Sequence, residues 1–247
     1  MTADIATVLW KEWKEILLFR SRAGRLGNAL SMIMLLAVFG IYLPLQSGPE
    51  WVTSPLMLAA WAWVPYLLIV GVIADSFAGE RERHTLESLL ATRLPDRAIL
   101  IGKIVAATSY GWGVAVASLV LSLITINIAY GSGGLLIFPT PTLLAILGLS
   151  LLISTLASSL GVLVSLRASS LQQAQQRLSM SSLILFVLPI FTLQVLPETI
   201  VTSLARAAAG ADLTTIYAAV GIVLLVLDSA LIFAATARFQ RARMILD

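Results

Sequence analysis

The chain contains no cysteine and a single histidine, His84, among 247 residues. Disulfides and thiolate metal sites are therefore excluded, and one imidazole cannot build a histidine metal cluster. Charge is scarce as well: 12% of the residues are charged, against about a quarter in a soluble domain. No G-x-x-x-x-G-K-[ST] phosphate loop occurs, since the pair Gly102-Lys103 lacks both the upstream glycine and a following Ser or Thr. The chain alone thus has no means of hydrolysing ATP. H-E-x-x-H and G-x-S-x-G are also missing, as are basic patches interleaved with aromatics, so a metalloprotease, a serine hydrolase and a nucleic-acid binder find no support.

What is present is apolar length. Hydrophobic residues make up 59% of the chain and the mean hydropathy is +0.95. A bilayer crossing needs roughly 20 apolar residues, and six such runs read at 26–46, 55–77, 104–130, 142–166, 178–196 and 214–237. The expected fold is all-α: a single polytopic membrane domain, 1–247, with six transmembrane helices. Residues 4–22 read as an amphipathic helix lying in the membrane interface. Ile5, Val8, Leu9, Trp13, Ile16 and Leu17 share one face, Lys11, Lys14 and Glu15 the other, and Glu12 falls out of the pattern. Trp51, Trp61 and Trp63 read as an outer interfacial belt. Residues 131–141 read as an uncharged turn, 167–177 as a short polar loop and 197–213 as a loop with room for a short helix.

Charge then sets orientation. Basic residues gather before span one (Lys11, Lys14, Arg20, Arg22, Arg25), between spans two and three (Arg81, Arg83, Arg93, Arg97, Lys103), between four and five (Arg167, Arg177) and after six (Arg238, Arg241, Arg243). Only Arg206 lies on the other side, so fifteen of sixteen share one compartment. The positive-inside rule makes that compartment the cytoplasm and puts both termini in it. The expected location is a prokaryotic inner membrane.

The segment too polar for lipid is 79–103, GERERHTLESLLATRLPDRAILIGK. Residues 80–90 suit a helix, with Leu86, Leu89 and Leu90 at helical spacing. Glu80, Arg83 and Glu87 are placed to pair along its exposed side. Pro95 breaks the chain, and Asp96 is expected to cap the next helix. From periodicity alone this could be a solvated loop that fixes topology. The segment resembles the loop joining spans two and three in ABC-2-type transporter permeases, which reads roughly E-x-E-x-G-T-L-E-x-L-L-x-x-P, then a basic residue and G-K. Glu80, Glu82, Thr85, Leu86, Glu87, Leu89, Leu90, Pro95, Arg97, Gly102 and Lys103 match it. His84 stands where that family has Gly, and a continuous helix through His84 is expected in consequence.

The resemblance implies the membrane subunit of an ATP-driven transporter, mostly exporters. It implies a homodimer, or a dimer with a related permease, joined to two cytosolic ATPase subunits. ATP and Mg would then sit on the partner ATPase, with no cofactor on this chain. Glu80, Glu82, Thr85, Leu86, Glu87, Leu89, Leu90 and Pro95 would form the coupling helix seated on that ATPase, and the N-terminal helix would add to the contact. Polar residues that could line a translocation path are Asp228 in span six, Gln194 in span five and Asn127 in span three. A charge at mid-bilayer costs about 2.5 to 3.5 kcal/mol on insertion scales, so Asp228 is a substrate or proton contact, a structural hydrogen bond to a neighbouring span, or a neutral protonated acid. Asn127 and Gln194 read equally as helix–helix hydrogen bonds. Asp75 lies near the inner end of span two. Ser150, Ser154, Ser158, Ser159 and Gly161 mark a close-packed face of span four. The alternative reading, an ion-gradient-driven secondary transporter, calls for several intramembrane acids and an internal repeat; only Asp228 is available. A haem-handling subunit is disfavoured because the one histidine lies outside the spans.

Overall fold

The computed structural model describes residues 1–16, 22–54, 57–85, 89, 91–184, 188–197, 199–200, 202 and 212–239. Expectations that rest on Leu86, Glu87 and Leu90, on 203–211 and on the tail 240–247 lie outside the described residues, as do those on the side chains of Trp63 and Gln194. Every regular element among the described residues is helical. In chain order the main ones are α1 (Thr2–Lys14), α2 (Arg22–Ala37), α3 (Leu43–Ser47), α4 (Glu50–Thr53), α5 (Met57–Ala74), α6 (Glu80–Glu82), α7 (Asp96–Tyr130), α8 (Thr140–Ser165), α9 (Leu171–Ser182), α10 (Leu188–Val195) and α11 (Leu213–Arg238). A π-helical turn, Val38–Tyr42, joins α2 to α3, and a second, Asp75–Gly79, joins α5 to α6.

Among the described residues, four helical stretches are long and apolar enough to cross a bilayer: Leu30–Ser47, Asp96–Tyr130, Thr140–Ser165 and Leu213–Arg238. The 35 residues of α7 rise about 52 Å, well beyond the roughly 30 Å of hydrocarbon. One end of α7 therefore stands clear of the lipid, and its polar first turns, Asp96 to Lys103, belong there. Pro95 occupies the N-cap with no side-chain cap bond, so Asp96 is the first helical residue and not the expected cap. At that position its carboxylate still faces the positive end of the helix.

The core is the mutual packing of α5, α7 and α8. The helix α9 rests against α5, α11 covers α8, and α1 lies along the N-terminal turns of α7. Close approach depends on two glycines. A Cβ at Gly102 would stand 2.7 Å from Val8 Cβ, and one at Gly161 would overlap Ile73. Ser150, Ser154, Ser158 and Ser159 of α8 are all buried, as the close-packed face requires. In the first span the π turn frees the carbonyl of Gly40, and Thr125 Oγ1 donates to it at 2.8 Å.

Three expectations need correction. Trp51 and Trp61 are not a lipid-facing belt: each is 1% exposed, and their rings pack edge to face at 5.8 Å beside Phe39. Apolar bulk with a protein neighbour on every side is better buried than left at a headgroup. The segment 167–177 is not a loop throughout. Ser170 caps the start of α9 at Leu171 by accepting from Gln173 N at 3.2 Å, and Gln173 Oε1 reaches back to accept from Ser169 N at 2.9 Å. Finally, α1 spends its apolar face on protein. Val8 is buried against α7, Trp13 Nε1 donates to Ser109 Oγ at 3.0 Å, and the Trp13 ring meets Tyr110 edge-on at 6.5 Å.

Candidate functional site

The segment that follows α5 is where charge enters the protein interior. The π turn Asp75–Gly79 adds a residue to the helical repeat and re-aims what comes next. Gly79 leaves room there for Asp75 Oδ1 to accept from Arg83 Nη2 at 3.0 Å. The four consecutive charges Glu80-Arg81-Glu82-Arg83 then go to four different places.

Glu80 turns inward. Its Oε1 lies 2.8 Å from Lys11 Nζ on α1 and 2.9 Å from Lys103 Nζ on α7. Lys103 Nζ also donates to Glu12 Oε1 and to the carbonyl of Ser76, both at 2.8 Å, and stands 5.1 Å from the centre of the Phe77 ring. The Lys103 side chain is fully enclosed, and those of Glu80 and Glu12 nearly so. Lys103 thus keeps its charge out of water between two carboxylates, and Lys11, 38% exposed, closes the cluster toward solvent. Burial works against ionisation of Glu12, but Lys103 and Lys11 outweigh it and hold the carboxyl below the usual range. Burial likewise opposes the charge on Lys11, and Glu12, Glu80 and Glu15 together overcome it, raising its pKa. The pairing expected for Glu80 with Arg83 along an exposed side is therefore corrected, since Glu80 is 5% exposed and Arg83 answers to Asp75. The carboxylates of Glu12, Glu15 and Glu80 come within 4.8 Å of one another. The charge that would draw a metal cation to them is already met by Lys11 and Lys103.

Arg81 reaches the other half of the bundle. Its Nη1 donates to Ala168 O at 2.8 Å and its Nη2 to Leu166 O at 3.3 Å, where α8 runs out. Glu82 Oε1 accepts from Leu171 N at 3.3 Å, the first amide of α9. A cation on the carbonyl end of one helix and a carboxylate on the amide end of the next both suit the helix dipoles.

The helix then stops. His84 takes a φ of 54° and donates its amide to Arg81 O at 3.1 Å, while Thr85 N donates to Glu80 O at 2.9 Å. These two bonds form a Schellman cap, which normally uses Gly at the left-handed position. The continuous helix expected through His84 is thus overturned: the terminal carbonyls of α6 need these amides more than the imidazole resists the conformation. Beyond it, Thr85 is exposed and Thr85 O accepts from Leu89 N at 3.1 Å. Leu89 and Leu94 are half-buried against the main core, and Pro95 is exposed.

The polar residues named for a translocation path lie on three different helices, α7, α10 and α11. Asn127 donates to Leu123 O and Leu136 O and accepts from Leu136 N, at 2.8 to 2.9 Å, so its amide pins the extended 134–139 segment onto α7. Asp228 is 4% exposed on α11, and neither carboxylate oxygen has a hydrogen-bond partner among the described residues. Gln194 lies on α10.

Glu12 and Lys103 are the functional candidates that sequence reasoning passed over. The signal existed: a charge out of phase on an apolar helix face, with an opposite charge opening a membrane-long helix. What was missing was the register that brings positions 91 apart in sequence together.

Comparison with known proteins agrees with this layout. The family model described as ABC-2 type transporter matches residues 3–204. The ABC transporter permease protein NatB of Bacillus subtilis (strain 168) is 29% identical over 158 residues, which cover 59% of this chain. That region is 39% of NatB, so the chain accounts for well under half of that relative's length. The match of the family model across most of the chain, together with helices apolar enough to cross a bilayer, makes this protein a membrane member of the ABC-2 type transporter family.

Proposed function

We propose that the chain is the translocating membrane subunit of an ATP-binding cassette exporter. In this reading ATP and Mg are held by cytosolic ATPase subunits, two per complex, and two permease chains, identical or related, form the path. Segment 80–95 is the coupling element, and both termini and this segment face the cytoplasm of a prokaryotic inner membrane. Six crossings are counted by adding α5 and the α9–α10 pair to the four long apolar stretches. Phe239 at the end of α11 rests on Phe77 with ring centres 5.5 Å apart, which supports a last crossing that returns to the end where the coupling segment lies.

The observation that carries the reading is the charge junction at 80–83. A loop that only set topology would leave its charges in water. Here one short segment holds α1, α7, the end of α8 and the start of α9 through separate side chains. A push on residues 84–95 would be felt across the inner end of the bundle.

The test is co-purification of the chain with a cytosolic ATPase that carries a phosphate loop. Replacing Leu86 and Leu89 together with Asp should abolish the complex and substrate-stimulated ATP turnover. Because Leu89 also touches the core, the thermal midpoint of the permease alone is measured alongside. A well-folded double variant that keeps both the complex and full turnover rules out docking through this segment.

A further inference from the structure

We infer that Arg81 and Glu82 are the positioning residues that carry movement of the coupling segment to the α8–α9 junction, and so to the second half of the bundle. The inference rests on the coupling reading above and adds the route. Between α8 and α9 the chain makes a short, sharp turn at 166–170. Arg81 grips its entrance by donating to Leu166 O and Ala168 O, and Glu82 grips its exit by accepting from Leu171 N. The same turn is held a helical turn earlier, where Ser165 Oγ donates to Ala74 O at 3.1 Å and accepts from Ala78 N at 3.0 Å.

This link is separate from the one made by Glu80. Glu80 and Lys103 tie the segment to α1 and α7, which adjoin it in the first half of the chain. Among the described residues, the side chains that cross from α6 to the turn that launches α9 are Arg81 and Glu82. The guanidinium fork spans two carbonyls at once, a geometry that an ammonium, as a point donor, cannot reproduce. Both ends of the turn are therefore clamped to the same three-residue helix. When α6 tilts, the end of α8 and the start of α9 must tilt with it or break charged hydrogen bonds.

The experiment exploits the absence of native cysteine. In the assembled complex with its ATPase, a single cysteine is placed at Ala91 on the coupling segment or at Gln172 on α9, both exposed. Each carries an environment-sensitive fluorophore, and its response to ATP with vanadate is read. With Arg81 intact, both labels should respond. In Arg81→Ala the Ala91 label should still respond, and the Gln172 response should fall several-fold. Arg81→Lys should give an intermediate response at Gln172, and Glu82→Ala should weaken that response in the same direction. If Arg81→Ala yields no assembled complex, Arg81→Lys with Glu82→Ala carries the comparison. A full response at Gln172 in Arg81→Ala, or in that pair, overturns the proposed route. Silence of both labels in the otherwise unaltered chain overturns the coupling reading itself.

Discussion

Lys103 has three oxygens within 2.9 Å and no water-facing surface, and this fixes what substitution must do. In Lys103→Met the carboxylates of Glu12 and Glu80 stay buried with Lys11 as their sole cation. Breaking a buried pair in this way costs on the order of 3 to 5 kcal/mol. In Glu12→Met with Lys103→Met, Lys11 still pairs with Glu80 at 2.8 Å and with Glu15 at 3.0 Å. The double variant should therefore recover most of the loss, and thermal unfolding of the purified chain decides it; a loss equal to the sum of the singles would mean the pair is not coupled. The pH dependence follows from the same groups. Glu12 titrates lower folded than unfolded, so its contribution is complete above its ordinary value of 4.5 and is lost as pH falls through the folded one. Lys11 is raised, so its contribution is complete below 10.5 and is lost as pH rises through its folded value. The part of the unfolding midpoint owed to Glu12 and Lys11 should be flat from 4.5 to 10.5, and Glu12→Gln should lower that plateau and remove its share of the acid limb.

At the scale of elements, α6 is a helix defined by its ending. Three residues cannot hold a helix on their own; the Schellman cap and the outgoing side chains hold it. His84 pays conformational strain for that cap, because a side chain in the left-handed region costs about 1 to 2 kcal/mol relative to the right-handed one. His84→Gly should keep or raise the thermal midpoint and leave coupling intact. His84→Val, with a branched Cβ at φ 54°, should lower the midpoint by several degrees and weaken the ATPase complex. If Gly and Val behave alike, the turn is not needed in the working protein. This was the point hardest to read from sequence. Local helix preference through Arg83, His84 and Thr85 pointed to continuity, and the decision lay with carbonyls that needed capping. The long apolar helices were legible because lipid-length runs leave few alternatives. The start of α9 was missed, because its glutamines read as polar loop although Ser170 stands three residues before Gln173. The burial of Glu12 was not legible, since it depends on Val8 reaching the bare backbone of Gly102 on a helix far along the chain.

For the whole molecule, the end of the bundle that holds the charge junction also collects α1, the 166–170 turn and the end of α11. The opposite end holds the Trp51–Trp61 cluster and the segment clamped by Asn127. One end is rich in paired charge, and the other carries the buried aromatic cluster. The separation yields a direct prediction. Single cysteines at Ala91, Gln172 and Leu135, all exposed, can be labelled with a membrane-impermeant maleimide on intact cells. Leu135→Cys should label from outside, and Ala91→Cys and Gln172→Cys only after the membrane is opened. Labelling of Ala91 from outside would put the coupling segment beyond the reach of any cytosolic ATPase. Labelling of Gln172 from outside with Ala91 protected would mean that α7 and α8 do not form a pair of crossings, and Arg81 could not then reach Ala168 from the same side of the membrane.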